Sequence, residues 1–335
     1  MNYIGSKYSL LPFINETISG VVGADMSQKV FCDLFAGTGI VGRFFKPKVR
    51  KIIANDWEYY CYILNRNYIG NHEDIPGMDA YVQLLNSLEG TEDGFIYSNY
   101  CLGSGSGRQY FSDENGKRID AIRIKIEELK KSGEISEDLY FFLLCSLIES
   151  ADRCANTASV YGAFLKHLKA SAKKKMVLEP AFFPVNENIH EVYQEDANLL
   201  IKRIEGDVLY LDPPYNARQY GSNYHILNTI ADYKPFTPSG KTGLPPYLRS
   251  AYCGKRTVSD SFVSLIKDAR FKYVFLSYNN EGLMPLEQIA SIMSTFGHFE
   301  RISRDHHRFR ADTDERRNHR ANKTVEYIHI LEKDG

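Results

Sequence analysis

A chain of 335 residues, 43% hydrophobic and 25% charged, has apolar matter enough for one large domain plus an insertion, and is neither a fibrous nor a disordered composition. Its net charge of -1 announces no polyanion partner at the scale of the whole chain, so any nucleic-acid surface is a local patch. No apolar run reaches membrane length, no signal-peptide core is present, and the six cysteines form no CxxC pair; the expectation is a reduced, cytoplasmic protein without membrane contact or structural zinc.

In chain order, "KVFCDLFAGTGIVGRFF" predicts a strand over 30–35, a glycine turn and a helix from about Ile40. "VRKIIAND" predicts a second strand ending at Asp56, and the pair forms a right-handed βαβ unit. Gly37 and Gly39 permit a tight turn and a close backbone approach to a ligand, but the next glycine is at 42, so the dinucleotide spacing is not met. Asp33 would repel a pyrophosphate and attract a cationic amino group; the other reading is a satisfied structural aspartate. Asp56 stands where an acid takes ribose hydroxyls. Trp57, the single tryptophan, either covers an adenine face or packs in the core.

Residues 76–190 interrupt the alternation of strands and helices and read as an insertion, leaving 1–75 and 191–335 as the α/β domain. Within it "CLGSGSGRQYF" predicts a flexible loop. "GKRIDAIRIKIEELKKSG" predicts an amphipathic helix with Ile119, Ile122, Ile126 and Leu129 on one stripe. "SEDLYFFLLCSLIESADRCA" predicts a buried helix capped by Ser136, and "NTASVYGAFLKHLKASAKKKM" is polar and basic. After the insertion, Asp196 in "QEDAN" is either an acceptor for an adenine amino group or a helix N-cap. Strands over 208–211, 273–278 and 325–331 alternate with helical patterns over 223–233 and 285–296, which predicts a doubly wound, Rossmann-like sheet.

The strand over 208–211 runs into Asp212-Pro213-Pro214-Tyr215. Two prolines remove two backbone donors, so the sheet stops with an aspartate at the carboxyl edge, where open α/β sheets bind ligands. That turn suits attack by an exocyclic amino nitrogen, whose lone pair is delocalised into its base ring. The Asp212 carboxylate and the Pro213 carbonyl can each accept one N–H, favouring a pyramidal nitrogen and stabilising the positive charge that develops on it. Tyr215 offers a face for stacking the base. The bland alternative is a rigid proline turn with a packed tyrosine.

"YIGSK" at 3–7, "DLFAGTG" at 33–39, "AND" at 54–56, "QEDA" at 194–197 and "DPPY" at 212–215 occur in the order found in the Dam-type adenine-specific DNA methyltransferases, which the chain resembles over nearly its whole length. "YFSDENGKRIDAIR", "ESADRCANTASVYGAFLK" and "NARQYGSNYHILNTI" resemble the subset of the methyltransferase partner of FokI. The resemblance implies a Rossmann-like S-adenosylmethionine-dependent methyltransferase fold with an inserted target-recognition region, S-adenosylmethionine as cofactor and no metal. It implies that Tyr3 to Lys7 close over the cofactor, Asp33 holds its ammonium, Asp56 its ribose and Asp196 its adenine; Phe35, Gly37, Gly39 and Trp57 complete the expected cofactor set. From the residue alone, Lys7 reads as a solvated surface lysine.

The resemblance further implies that the target adenine in duplex DNA is flipped out and stacked on Tyr215. It makes 154–175 the expected recognition hairpin, with Asn156 pairing an adenine edge, Tyr161 stacking, Lys166 reaching guanine or phosphate and the lysines at 173–175 holding phosphates. The basic run "RDHHRFRADTDERRNHRANK" is a second phosphate candidate, its bland reading a solvated loop. Arg218, Tyr220 and Asn223 are expected to line the flipped-base pocket. The implied role is the protective half of a bacterial restriction–modification pair, acting as a monomer with a separately encoded nuclease and no stable complex; CATG is the site that short relatives with a similar start suggest. Amino methylation of cytosine, or of RNA or protein, uses the same turn and stays open, as does a non-catalytic DNA-binding module. Ring-carbon methylation of cytosine does not, since it needs a nucleophilic cysteine, usually in Pro-Cys, and no Pro-Cys occurs.

Overall fold

The computed structural model describes residues 7–217, 219–307 and 323–334. It forms two compact units. One takes its described residues from 7–57, 188–219 and 249–334, the other from 58–187 and 220–248.

The first unit is built on one seven-stranded sheet: β1 (Val30–Asp33), β2 (Lys51–Asn55), β3 (Glu191–Tyr193), β4 (Glu205–Leu211), β5 (Arg270–Asn279), β6 (Gly297–His307) and β7 (Lys323–Lys333), in the order β3-β2-β1-β4-β5-β7-β6. The first five strands of that order run parallel, β7 is antiparallel to β5, and β6 forms an antiparallel pair with β7. The order reverses between β1 and β4, which is the topological switch point where such sheets open a crevice beyond their carboxyl ends.

Both faces of the central strands are covered, as a parallel sheet requires. On one face Cys32, Leu34, Leu209, Leu211 and Leu276 pack against Phe262 and Leu265 of the helix Val258–Asp268 and Ile289 and Met293 of the helix Leu286–Ser294. On the other, Phe31 stacks on Phe45 at 4.5 Å and on Tyr210 at 6.4 Å. Side chains alternate along a strand, and the registers Asp33↔Tyr210, Tyr210↔Phe275, Phe275↔Ile330 and Asn279↔Glu326 fix the consequence. Asp33, Asn279 and Glu326 belong to the Phe31–Tyr210 face, and Asp212 continues the alternation of β4 on that face.

β1 ends at Asp33 rather than at 35, and β2 at Asn55; Leu34 N–H donating to Tyr210 O and Asp56 N–H to Tyr193 O complete the Asp33↔Tyr210 and Asn55↔Tyr193 pairs. β3 and β6 were not predicted. β3 is three half-buried residues, and β6 is an edge strand whose "ERISRDHH" carries the charges that edges use against unwanted pairing.

In the second unit the helix Asp113–Lys131 is capped by Ser112 and buries Ile119, Ile122, Ile126 and Leu129 as the stripe predicts. The helix Glu137–Cys154 is capped by Ser136, whose Oγ accepts from Leu139 N–H at 3.2 Å. The unit's limits differ from 76–190. Residues 58–75 join it because Tyr60, Cys61, Ile63 and Leu64 enter its core, and 220–248 join it through Tyr224, Ile226, Leu227 and Ile230. The 101–111 segment, expected to be flexible, is pinned: Cys101, Tyr110 and Phe111 are buried, Tyr110 N–H donates to Tyr100 O at 2.9 Å, and the hydroxyls of Ser104 and Ser106 both donate to Cys101 O. Among the described residues no helix is long and apolar enough to cross a membrane, and the six cysteines are buried thiols.

Candidate active site

The carboxyl ends of β1 and β4 carry the two aspartates that matter. Asp33 is buried, and its Oδ2 accepts from Gly42 N–H at 3.0 Å. Burial pushes its carboxyl up to about 8; the Gly42 N–H opposes this, and the neighbouring Asp212 and Asp56 charges add to it. Between β1 and the helix Ile40–Phe45, Gly37 (φ 53°) and Gly39 (φ 75°) take left-handed conformations that a side chain would strain. The turn is tied to the end of β2 by Gly37 N–H donating to Asp56 Oδ2 at 2.8 Å.

Asn55, which no sequence signal singles out, fastens two loops at once. Its amide donates to Leu34 O and Glu195 O, and its oxygen accepts from Glu195 N–H. This buried amide thereby fixes the 194–196 segment beside the glycine turn. Asp196 there caps a short helix, Oδ1 accepting from Asn198 N–H at 2.9 Å and Leu199 N–H at 3.1 Å, so the capping reading holds. Trp57 is exposed and not a core residue, its carbonyl accepting from Gln194 Nε2. Phe35 meets the ring of Tyr252 edge-on at 5.0 Å.

At β4, Lys7 Nζ lies 3.0 Å from Asp212 Oδ1 and 5.8 Å from the Tyr215 ring centre. Lys7 is buried, against its surface reading. Burial alone would lower its ammonium, but Asp212, Glu326 and Tyr215 outweigh that and raise it to about 12, so it stays charged. Burial pushes the Asp212 carboxyl up, and Lys7 pulls it back. Tyr215 is held from behind: Leu283 N–H donates to its carbonyl at 2.8 Å, and Tyr278 meets its ring edge-on at 6.1 Å. Glu326 of β7 faces this group, raised by burial and opposed by Lys7. Nothing in "VEYIHIL" marks it; only the sheet register brings it to the site. Among the described residues no cluster of three or more His, Cys, Asp or Glu is arranged to hold a metal.

The base-reading expectations in the helical unit need correction. Asn156 is fully buried, its amide donating to Gln109 O and Leu165 O while its oxygen accepts from Lys169 N–H. Tyr161 is also fully buried and donates its hydroxyl to Asp152 at 2.9 Å. Both build the segment and have no edge left for a base. Lys166 and Lys173, Lys174 and Lys175 are exposed. Tyr220 stacks on Tyr224 at 6.1 Å, and Asn223 O accepts from Tyr161 N–H at 2.8 Å. Tyr3 and Arg218 lie outside the described residues, as does 308–322 of the C-terminal basic run.

The sequence of residues 3–292 matches the D12 class N6 adenine-specific DNA methyltransferases. The chain is similar to the Type II methyltransferase M.NlaIII of Neisseria lactamica, 61% identical over 333 residues and covering 99% of each protein. It is 38% identical to the Type II methyltransferase M.CviAII of Paramecium bursaria Chlorella virus 1 over 93% of each, and 41% identical to the Type II methyltransferase M.FokI of Planomicrobium okeanokoites over 89% of this chain and 47% of that one. With the switch-point aspartates and the Asp-Pro-Pro-Tyr turn at the end of β4, the match leaves one assignment: the chain belongs to the D12 class of N6 adenine-specific DNA methyltransferases.

Proposed function

We propose that this adenine-specific DNA methyltransferase uses S-adenosylmethionine and accepts its target adenine extrahelically, with the exocyclic amino group at Asp212 and the ring on Tyr215. The observation that carries the reading is the pairing of a buried Asp33 with Asp212-Pro213-Pro214-Tyr215 on one face of the sheet at its switch point. The residues fit the cofactor: Asp33 is a buried acid suited to an ammonium, Gly37 and Gly39 expose bare backbone, and Asp56 stands at the end of β2 for ribose hydroxyls. When bound, the cofactor supplies a methyl group already activated on a sulfonium. The protein's own part is placement and charge. Asp212 and the Pro213 carbonyl accept the two N–H bonds of the amino group, Tyr215 holds the ring, and Lys7 keeps Asp212 ionised until the amino group arrives.

Lys166 and the lysines at 173–175 serve phosphate contact. The biological role is the modification half of a type II restriction–modification pair, in keeping with the names of the relatives, with the enzyme acting as a monomer in the bacterial cytoplasm, apart from its nuclease. CATG is the proposed site. The test is transfer of labelled methyl from S-adenosylmethionine to unmethylated duplex DNA, comparing the enzyme with Asp212→Ala, with nucleoside analysis and mapping. Label in N6-methyladenine within CATG, lost in the variant, supports the reading. Label in methylcytosine overturns the base, label at another site overturns CATG, and label surviving in Asp212→Ala overturns the role of Asp212.

A further inference from the structure

An enzyme that takes a base out of a duplex leaves a gap in the stack, which proteins of this habit fill with an apolar wedge. The 154–175 segment does not offer one: Tyr161 is buried, and no large apolar side chain of that segment is exposed. A different loop has the required build. Residues 233–256 carry Lys234, Lys241, Arg249, Lys255 and Arg256 and no acid at all, in a chain whose acids and bases total 42 and 41. Near the middle of this run, four residues in a row, from Pro246 to Arg249, are exposed, with Leu248 at 67% and Tyr247 at 37%.

The loop is tied down on the approach to this exposed pair. Tyr100 donates its hydroxyl to Gly243 O at 2.7 Å, Arg108 donates to Gly240 O at 3.0 Å, and His225 Nε2 lies 3.0 Å from Thr242 O. Ser239 and Leu244 exchange both backbone hydrogen bonds at 2.9 Å. Pro245 and Pro246 then restrict the chain leading to the exposed pair. Tyr247 is seated over Gly221, where a Cβ would meet it at 3.4 Å. Gly221 lies in the short helix that begins five residues after Tyr215 in the chain.

We infer that the loop around 239–249 is a contact for duplex DNA, in which Lys241 takes phosphate and Leu248, backed by Tyr247, enters the base stack. The inference rests on the extrahelical reading above. Its test uses a duplex of the mapped site with 2-aminopurine in place of the target adenine, read by fluorescence, and methyl transfer on the normal site. The enzyme is expected to brighten the probe. Leu248→Ala is expected to lose roughly tenfold in flipping and in methyl transfer at unchanged cofactor affinity, Leu248→Met to retain most of both, and Lys241→Gln to lower the slope of log affinity against log salt by about one. Full brightening and methyl transfer by Leu248→Ala with an unchanged salt slope in Lys241→Gln overturns the inference and leaves the extrahelical reading standing. No brightening with the unaltered enzyme, although it methylates the normal site, overturns both.

Discussion

Asp33 carries a proton that the chemistry does not want. With its carboxyl raised to about 8 by burial, the group is largely neutral near pH 7 in the free protein. A bound cationic amino group favours the ionised form, so cofactor binding at about pH 7 should release close to one proton and tighten as pH rises toward 8. Calorimetry in two buffers of different ionisation heat measures that proton. Asp33→Asn should abolish the release and weaken cofactor binding by roughly tenfold to a hundredfold, the worth of a charge-assisted hydrogen bond. The sign for stability is the reverse: a carboxyl raised above its unfolded value loses stability as pH climbs from about 4 to 8, so the Asn variant of the free protein should melt higher at neutral pH.

Lys7 and Glu326 should move the activity profile in opposite directions. Lys7→Met removes the cation that holds the Asp212 carboxyl down, so the acid limb of the rate–pH profile should shift to higher pH and the rate fall about tenfold or more. Glu326→Gln removes a competing anion from Lys7, and the acid limb should shift to lower pH. Limbs that stay in place in both variants would mean that Asp212 is not the group being titrated.

Among the elements, the segment after the helix Glu137–Cys154 shows what a buried amide does. Asn156 makes three hydrogen bonds that tie 109, 165 and 169 together. Asn156→Ala should cost roughly 2–4 kcal/mol of stability in urea melts and leave the methylated sequence unchanged; a change of site with no loss of stability would restore it as a base reader. The sequence could not separate these roles, because the same amide edge suits adenine or a backbone carbonyl. The glycine turn, the strand ended by prolines, the isoleucine stripe and the Ser136 cap were legible, since each is a local signal of one segment. Asn55 and Glu326 were not, because their meaning comes from register with strands far away in sequence. Lys7 looked like surface until its partner, 205 residues on, was beside it.

For the whole molecule, charge summed over the chain concealed the acid-free run at 233–256, and one residue of β7, next to the sheet edge, bears on acid stability. His329 is buried between Phe299 and Tyr327, with no hydrogen-bond partner for either ring nitrogen among the described residues, and burial lowers it to about 4. The unfolded chain takes up that proton near pH 6.5 while the folded one resists to about 4. The term is absent above pH 6.5 and erodes stability as pH falls through that window, by roughly 3 kcal/mol in full. His329→Phe should flatten the loss between about pH 7 and 5 in urea melts; an equally steep loss would place the acid sensitivity elsewhere.

The described chain passes between the two units after residues 57, 187, 219 and 248. That weaving governs inheritance as well as folding. A recombination that imported 58–187 from a relative would leave Ile226, Leu227 and Ile230 facing a core they did not co-evolve with. Chimeras exchanging 58–187 and 220–248 together should express as soluble, cooperatively melting proteins, while those exchanging either segment alone should melt lower or aggregate.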